Sequence, residues 1–413
     1  MVNNLKLHTE HLDTGGMSTL VFILIWAGYL LLSPFYIFNS GLPQPADMLL
    51  VFGVLPALIL AAINFKGRIS AMHISGALFV ILTLCINLIY FLYIGDRSFV
   101  PPSLFYVFNF GVFLFIIYLF KRAPQLMNRV TYLVISAIIL MQLVYVIGVS
   151  PDGGRHQGTF NNPNQLAYWS LLMSVMIIVL KRGASINLFD LILFSALAFL
   201  QSEALSKAGM ISYGVLLVFV AFQPATNKKL KALFVFGLFA FFITEITAPQ
   251  QVKSWVIAAD NISAVMHRLG KIGVEVDDSP MARGYSRLIE YPEYILVGAG
   301  EGAHWRFNAR QELHSGLATI LFSYGILGFT LFLSFLGFIF IRIPFYHTFL
   351  LAPLILYGLT HQNFRNTAFW VFLAACYAHK YFTANINHND SVRDMAEHDN
   401  KPRQQVLSKQ SVR

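Results

Sequence analysis

The segment HSGLATILFSYGILG, residues 314–328, ends a polar stretch that begins near Pro249 and starts a long hydrophobic run. The chain around it has 413 residues, is 56% hydrophobic and only 12% charged, and has a mean hydropathy of +0.62. These values lie far outside the range of soluble globular chains and are typical of an all-α polytopic membrane protein. In such a chain, a long polar insert that carries Arg283, Arg287 and His314 needs an explanation. We interpret it as half of a functional site.

Charge and cysteine content exclude several classes of protein. A formal net charge of +9 would suggest nucleic-acid binding in a soluble domain, but in a membrane protein the surplus Lys and Arg usually set the orientation. We therefore predict the lipid bilayer, and no nucleic acid, as a partner. Cys85 and Cys376 lie in apolar runs, so neither a disulfide framework nor a sulfur-based metal site is expected.

Apolar runs of sufficient length to cross a membrane recur along the chain. A transmembrane helix needs roughly 20 apolar residues, or fewer where packed helices shield it, which predicts about twelve spans. The predicted spans lie near 17–38, 46–65, 73–94, 104–120, 130–149, 166–180, 186–205, 210–223, 233–248, 317–341, 348–361 and 367–383. The predicted regions are a cytoplasmic N-terminus at 1–16, spans within 17–248, a large external loop at 249–316, spans within 317–383, and a disordered tail at 384–413.

Positive charges alternate between the connections. Lys and Arg occupy every second connection, in groups of two or more except for the single Arg342, and also the tail; the intervening connections, apart from the large loop, hold at most one such residue. Because cytoplasmic loops retain Lys and Arg, we predict that both termini are cytoplasmic. Arg155, Lys207, the large loop and Arg365 then share the outer side. Polar groups at membrane depth usually mark a substrate site or a wet cavity, and ordinary loop solvation is the alternative.

The sequence RHQGTFNNPN, residues 155–164, has the composition of a turn. Asn162 precedes a proline, which disfavours helix, and Asn164 is then placed to cap span six. The structural interpretation is a capped re-entry turn. The functional interpretation adds Arg155 as an anion ligand.

Two further segments on the same side also allow two interpretations. Lys207 follows Glu203 by four residues, so on one helix the two would meet, either as a self-neutralising pair or with Lys207 held as a phosphate ligand. The large loop contains RGYSR at 283–287 and VGAGEG at 297–302, whose glycines would let backbone amides approach an anion. A flexible, salt-bridged connection is the structural alternative.

His314 precedes span ten, and helical spacing would place it on one face with Gly325 and Gly328. Small residues would let a neighbouring helix approach closely and fix the direction of the imidazole. A histidine at a membrane boundary is by itself more often interfacial, but arginine and lysine positions on the same side favour a functional role. The segment THQNFRN, residues 360–366, would close the cleft opposite His314, or be a polar hairpin.

This set of residues favours binding an anion over conducting a cation. Arginine suits a diphosphate because its planar fork donates two parallel hydrogen bonds. The outer side has no ATP supply, so a transferase there needs a donor with its own leaving group, such as a lipid-linked diphosphate sugar. The cations would neutralise the departing diphosphate, and His314 would take the proton of an incoming sugar hydroxyl, a role that typically contributes about 10²–10⁴-fold.

The sequence gives poor support for a metal site. The short outer loops contain no Asp-x-Asp pair, and the acids at 275, 277 and 278 are interpreted as solvated loop. We therefore expect chemistry without a metal ion or other cofactor, with arginines and a lysine in place of the cation.

Three motifs together resemble one known family. The spacing from His314 and Ser315 to Gly325 and Gly328 matches the histidine signature of the O-antigen ligase and polymerase superfamily. The RHQGTFNNPN turn resembles that family's Arg/Gly/Asn-Pro-Asn loop, and the VGAGEG segment resembles its glycine step before the histidine. The resemblance extends over about residues 150–370. The three motifs occur in the same order, and on the same predicted side of the membrane, as in that family.

The resemblance implies a metal-independent glycosyltransferase with a GT-C-like fold in the bacterial inner membrane. It would use undecaprenyl-diphosphate-linked oligosaccharide on the periplasmic face, with partners among other polysaccharide-assembly membrane proteins. By analogy, Arg155, either Arg283 or Arg287, and Arg365 would handle the diphosphate, and His314 would activate the acceptor. The predicted site residues are Arg155, Asn162, Asn164, Lys207, Arg283, Arg287, Glu301, His314 and Arg365. One departure is Lys207, where the family often has arginine, because lysine lacks the bidentate fork.

Three functions remain open at this point. The loop motifs favour a polymerase for O-antigen or exopolysaccharide, which joins one lipid-linked chain to another repeat unit. A ligase that transfers the glycan to lipid A-core is the alternative. A transporter or flippase for lipid-linked glycan is the alternative from a different class, and it would need polar residues to continue through the membrane.

Overall fold

The structure is a computed structural model that describes residues 16–39, 42–63, 69–149, 154–181, 186–222, 259–273, 279–308, 312–341, 343 and 348–378. Within these ranges the regular secondary structure is entirely helical. The α-helices are α1 (Gly16–Leu32), α2 (Pro45–Ile63), α3 (Ala71–Ile94), α4 (Val100–Arg122), α5 (Pro124–Gly148), α6 (Pro163–Lys181), α7 (Leu188–Ala204), α8 (Lys207–Phe222), α9 (Ala259–Gly270), α10 (Arg287–Glu290), α11 (Glu293–Val297), α12 (Gly316–Phe340), α13 (Leu351–Gly358) and α14 (Thr367–Ala378). Short 3₁₀ turns lie at Arg97–Phe99 and His304–Phe307.

Five helical segments of the described chain are long and apolar enough to cross a membrane, which is consistent with a polytopic membrane protein. They are Ala71–Ile94, Arg97–Arg122, Pro124–Gly148, Pro163–Lys181 and Gly316–Phe340. Helices also occupy the other predicted spans that fall within the described ranges. The predicted ninth span at 233–248 and the predicted tail at 384–413 lie outside the described residues.

Helices α6 and α14 form the centre of the bundle. Every side chain from Leu166 to Leu180 in α6 and from Phe369 to Ala378 in α14 is buried. A helix that is apolar all round is typical of burial on all sides. Helix α6 packs against α7, α8 and α14, while α14 also packs against α4 and α12, and α12 packs against α3. The loops at one end of these central helices form the site described below.

The opposite end of α6 is fixed by the buried carboxylate of Asp190. Lys181 at the end of α6 places its Nζ 2.7 Å from Asp190 Oδ2, and the Tyr132 hydroxyl donates to Asp190 Oδ1 at 2.6 Å. Asn187 and Asp190 also form a capping box that begins α7. One carboxylate thus joins α5, α6 and α7, and a buried charge that loses its partner is strongly destabilising.

Helix α12 is broken at Gly325, which has φ 65° and ψ −175°. The break frees the carbonyl groups of Phe322 and Ser323, which accept hydrogen bonds from the amides of Ala299 and Gly300, both at 2.9 Å. A Cβ atom at position 325 would lie 2.5 Å from the carbonyl oxygen of Leu296. Glycine is therefore required both for the left-handed φ and for the close approach of a second backbone.

The break corrects the predicted geometry of the histidine signature. His314 lies before α12, which begins at Gly316, so it does not share a helical face with Gly325 and Gly328. The backbone that approaches Gly325 belongs to Leu296 in the short helix α11 and to Gly298 just after it, rather than to a neighbouring transmembrane helix. Gly328 does face a helix, because a Cβ there would lie 3.4 Å from a methyl group of Leu82 in α3.

Candidate functional site

The segment 312–315 places His314 at a bend of the backbone just before α12. Burial alternates along it: Leu313 and Ser315 are buried, whereas Glu312 and His314 are half-buried. Glu312 and His314 are therefore the two more exposed side chains of the segment.

Four hydrogen bonds fix this segment. The His314 amide donates to the carbonyl of Arg283 at 3.0 Å, and the Thr319 hydroxyl donates to the carbonyl of Leu313 at 3.2 Å. The Ser315 hydroxyl donates to the carbonyl of Gly358 at 3.1 Å and accepts from the amide of Ala318, which caps α12. His314 is thus positioned by the large loop and by the end of α13 together.

Arg283 connects the large loop to the segment after α13. Its Nη1 donates to the carbonyl of Thr360 at 2.6 Å. The next residue, His361, accepts at its carbonyl from the Gly316 amide at 3.1 Å, and its ring stacks on Tyr357 with ring centroids 4.6 Å apart. The segment 360–366, which was predicted to close the cleft opposite His314, is thereby joined to the histidine segment through Arg283 and Gly316.

Arg155 lies between the end of α7 and the start of α6. Its Nε donates to the carbonyl of Ala204 at 3.1 Å, and its Nη2 donates to Asn164 Oδ1 at 3.1 Å. The Asn164 carbonyl in turn accepts from the Tyr357 hydroxyl at 2.8 Å. Asn162 caps α6, because its side chain accepts from the Gln165 amide at 3.0 Å. The prediction that Asn164 is the cap is therefore wrong: its side chain positions Arg155 instead.

Lys207 and Glu203 do not lie on one helix. Helix α7 ends at Ala204, Leu205 has a left-handed φ of 45°, and α8 begins at Lys207, so the predicted i to i+4 helical pairing is wrong. Lys207 Nζ donates to the carbonyl of Lys271 at 2.9 Å, just after the end of α9. The amine thus connects the bundle to the large loop at the edge of the site.

Arg365 lies between two carboxylates. Its Nε is 3.4 Å from Glu301 Oε1, and its Nη2 forms a short ion pair with Glu312 Oε2. Glu301 is only 1% exposed, and its carboxylate also accepts from the Tyr324 hydroxyl at 2.7 Å and from the Gln362 amide at 3.3 Å. The predicted substrate ligand Glu301 is therefore part of a buried polar network.

The VGAGEG segment uses its amides inside the protein. Besides the two amides that bind the α12 carbonyls, the Glu301 amide donates to Asn87 Oδ1 at 2.8 Å. Gly298, Gly300 and Gly302 all have positive φ, and a Cβ at any of them would lie within 2.9 Å of a neighbouring atom. The glycines serve this packing, which corrects the predicted approach of their amides to an anion.

Arg287 is buried at the start of α10, with 4% of its surface exposed. Burial lowers the pKa of its guanidinium, and the charges of Glu312 and Glu290 oppose this shift. Arg306, also in the large loop, lies over the rings of Tyr90, Phe99 and Phe307, at about 5 Å from each. The charge of Arg287 acts on His314, whereas Arg306 attaches the large loop to α3 and to the 3₁₀ turn that follows it.

Three imidazoles lie close together in this end of the molecule: His304, His314 and His361. Burial lowers the pKa of each, to about 4 for His304 and about 3 for His361, and to below the ordinary value for His314. Around His314, the charge of Glu312 raises the pKa while Arg283 and Arg287 lower it further. All three are therefore neutral at pH 7, and a neutral imidazole can accept a proton.

The structure brings the predicted residues together into one connected cluster. Electrostatic interactions join His314 to Arg283 and Arg287, and join His361 to Arg283, Arg155 and His314. The sequence did not single out His304, His361 or Glu312 as site residues. Glu312 could have been identified by its place two residues before His314, and His361 by the density of polar groups around it. No local signal marks His304.

The cluster contains three guanidinium groups and the carboxylate of Glu312. Arg155, Arg283 and Arg287 could bind a dianionic group, because guanidinium forks match phosphate oxygens. Within the described ranges, no group of three His, Cys, Asp or Glu side chains is arranged to hold a metal ion. The acids at 275, 277 and 278 lie outside those ranges.

Neither a scan of protein-family models nor a search of curated proteins finds a match to this chain. The geometry of the cluster and the three motifs therefore carry the functional proposal.

Proposed function

We propose that the chain is a glycosyltransferase of the bacterial inner membrane that transfers undecaprenyl-diphosphate-linked glycan on the periplasmic face, as an O-antigen or exopolysaccharide polymerase. The observation that supports this best is the convergence of Arg155, Arg283 and Arg287 with the neutral His314 at one end of the bundle. These groups suit an anionic leaving group and a proton acceptor. The apolar helices around them suit a long isoprenoid tail.

In the proposed reaction, Arg155 and Arg283 bind the donor diphosphate. The acceptor hydroxyl oxygen forms a bond to the anomeric carbon, while the bond from that carbon to the diphosphate breaks and its electron pair leaves with the diphosphate. His314 takes the hydroxyl proton, and the guanidinium charges stabilise the negative charge that develops. Asn164 orients Arg155, and Asn162 fixes the start of α6 behind it.

Arg365 and Glu301 take a supporting role in this proposal. Two carboxylates already neutralise Arg365, and Glu301 is buried behind it. The pair therefore holds the segment after α13 in place rather than binding the diphosphate. Lys207, at the edge of the site, attracts the anionic donor or holds the large loop over it.

The proposal also includes the membrane topology of the chain. We propose about twelve spans with a GT-C-like arrangement, both termini in the cytoplasm and the cluster in the periplasm. The chemistry is metal-independent and needs no cofactor. The partners are a lipid-linked donor, a glycan acceptor and other polysaccharide-assembly membrane proteins.

A ligase and a flippase are the two alternatives to a polymerase, and each can be distinguished from it. A ligase would use lipid A-core as the acceptor, and the surface glycan of a deletion strain distinguishes it. Single capped repeat units indicate a polymerase, whereas intact chains left on the carrier lipid indicate a ligase. A flippase would need charged groups along its depth, but Arg155, Arg283, Arg287 and Arg365 of the described chain gather at one end.

His314→Ala tests the proposed base. We expect a folded, membrane-inserted protein whose transfer activity falls by about 10²–10⁴-fold, because the proposed base that takes the hydroxyl proton is removed. The assay is glycan elongation by purified protein with undecaprenyl-diphosphate-linked oligosaccharide.

His73→Ala is the matched control for this experiment. His73 is a half-buried histidine near the start of α3. The candidate site lies at the other end of this helix, where Ser98 accepts a hydrogen bond from the amide of Ala303 in the large loop. We expect it to retain activity. Full activity of His314→Ala, or equal loss in both variants, would contradict the assignment of His314 as the base.

A further inference from the structure

Glu312 lies two residues before His314, and both side chains are half-buried. Its side chain is 39% exposed, compared with 2% for Glu301. Arg365 is its hydrogen-bond partner among the described residues, and it is held through Glu312 Oε2.

Most of the charges around His314 oppose its protonated form. The groups that face His314 are Glu312 on its own segment, Arg283 and Arg287 of the large loop, and His361 after α13. Both arginines are cations and His361 is neutral, so an imidazolium at His314 would form beside two positive charges. Like charges close together disfavour ionisation. Glu312 is the negative charge in this set.

Other groups that face Glu312 fix its charge and position. They are Arg365, Glu301 behind it, His304 of the 3₁₀ turn, and Arg287. Although burial raises the pKa of Glu312, the charge and hydrogen bond of Arg365 outweigh it, so the pKa lies below its ordinary value. The carboxylate is therefore ionised throughout the neutral range.

We propose that Glu312 is a positioning residue for the transfer reaction: its carboxylate, held by Arg365 beside His314, stabilises the imidazolium that forms when His314 accepts the acceptor's proton. This inference rests on the proposed function. The bonds made and broken are those of the transfer step above, and Glu312 itself neither gains nor loses a proton. Its role matches the general arrangement of a base oriented and charge-balanced by a carboxylate.

The first test needs no glycan substrate. Diethyl pyrocarbonate modifies neutral imidazoles, so the pH dependence of modification gives the pKa of a histidine. Trypsin cuts after Arg310 and after Arg342, which releases the peptide 311–342. Its only histidine is His314, so mass spectrometry of this peptide reports the modification of His314. In Glu312→Gln we expect the midpoint of His314 modification to lie at lower pH than in the wild type, because the negative charge that raises the pKa of His314 has been removed.

Two variants control this measurement. Glu312→Asp keeps the negative charge and should keep the midpoint near the wild-type value. Glu290→Gln removes an exposed carboxylate of α10 whose charge acts on Arg287, and it should leave the midpoint of His314 unchanged. An unchanged midpoint in Glu312→Gln would overturn the proposal, whether or not the protein transfers glycan.

The second test separates a positioning role from a structural one. In Glu312→Gln we expect transfer to fall by about 10²–10³-fold, with the acid limb of kcat/KM moved to lower pH and KM for the donor unchanged or lower. A purely structural role would reduce activity equally at all pH values and leave the acid limb in place, which would contradict the inference. If the wild type transfers no glycan, the proposed function fails, while the histidine titration still decides the role of Glu312.

Discussion

At the scale of single residues, the site is predictable where its chemistry coincides with a local pattern. His314 and Arg155 were predicted from spacing and turn composition, and the structure places both in one cluster. Glu301 is different, because its sequence position says nothing about the Tyr324 hydroxyl and Arg365 that bind its carboxylate. His304 was missed for the same reason, since only tertiary contacts bring it near Glu312.

Arg283 offers the sharpest test of the diphosphate site. In Arg283→Ala we expect KM for the lipid-linked donor to rise on the order of tenfold or more, because a charge-assisted hydrogen bond contributes about 1.5–3 kcal/mol. Arg283→Lys should recover part of the loss, because lysine keeps the charge but lacks the planar fork with which separate nitrogens bind Thr360 and a diphosphate.

Arg97 supplies the control for Arg283. It is an exposed arginine of the 3₁₀ turn between α3 and α4, beside Ser98, which contacts the large loop. Arg97→Ala removes the same charge from the same end of the bundle and should leave KM unchanged. Equal increases in KM for both variants would indicate general charge attraction instead of a specific site.

At the scale of helices, the sequence predicts where α12 lies but not its shape. The apolar run at 317–341 corresponds to Gly316–Phe340, and Ser315 supplies the cap. The break at Gly325 depends on the backbone at Leu296 and Gly298, which is distant in sequence, so helical periodicity alone placed His314 and Gly325 on a shared face that does not exist. The same argument applies to α7, which ends between Glu203 and Lys207.

Gly325→Ala tests the break in α12. The left-handed φ and the approach of the Leu296 carbonyl should both be strained by a Cβ atom, at a cost of about 1–3 kcal/mol. We expect a lower midpoint of thermal unfolding in detergent and reduced transfer. Gly337→Ala is the matched control in the same helix: nothing lies within 4 Å of a Cβ there, so it should be neutral or slightly stabilising. Equal midpoints for the two variants would show that the break is not required.

At the scale of the whole molecule, the all-helical class followed from composition, because a chain with this hydropathy satisfies its backbone in lipid only through helices or barrels. The alternation of positive charge predicted which loops share a side, and the contacts among Arg155, Arg283, His314 and His361 agree with that grouping. Composition could not predict which polar loop residues would be buried in contacts within the protein, as Glu301 is, and which would stay half-buried, as His314 does.

The pH dependence of transfer should report the environment of the cluster. Transfer needs neutral His314, and burial and two arginines lower its pKa, so protonation begins only at lower pH than for an exposed histidine. We therefore expect the acid limb of kcat/KM to have its midpoint below about 6.5, the value of an unperturbed imidazole. A midpoint at or above that value would contradict the described surroundings of His314.

The most direct measurement uses the purified wild-type protein in proteoliposomes with undecaprenyl-diphosphate-linked oligosaccharide labelled in both the glycan and the lipid. A glycosyltransferase should produce longer glycan together with free undecaprenyl diphosphate, and the His314→Ala protein should produce neither. Movement of intact donor between leaflets, without cleavage of the bond between sugar and diphosphate, would contradict the proposed function and identify a transporter.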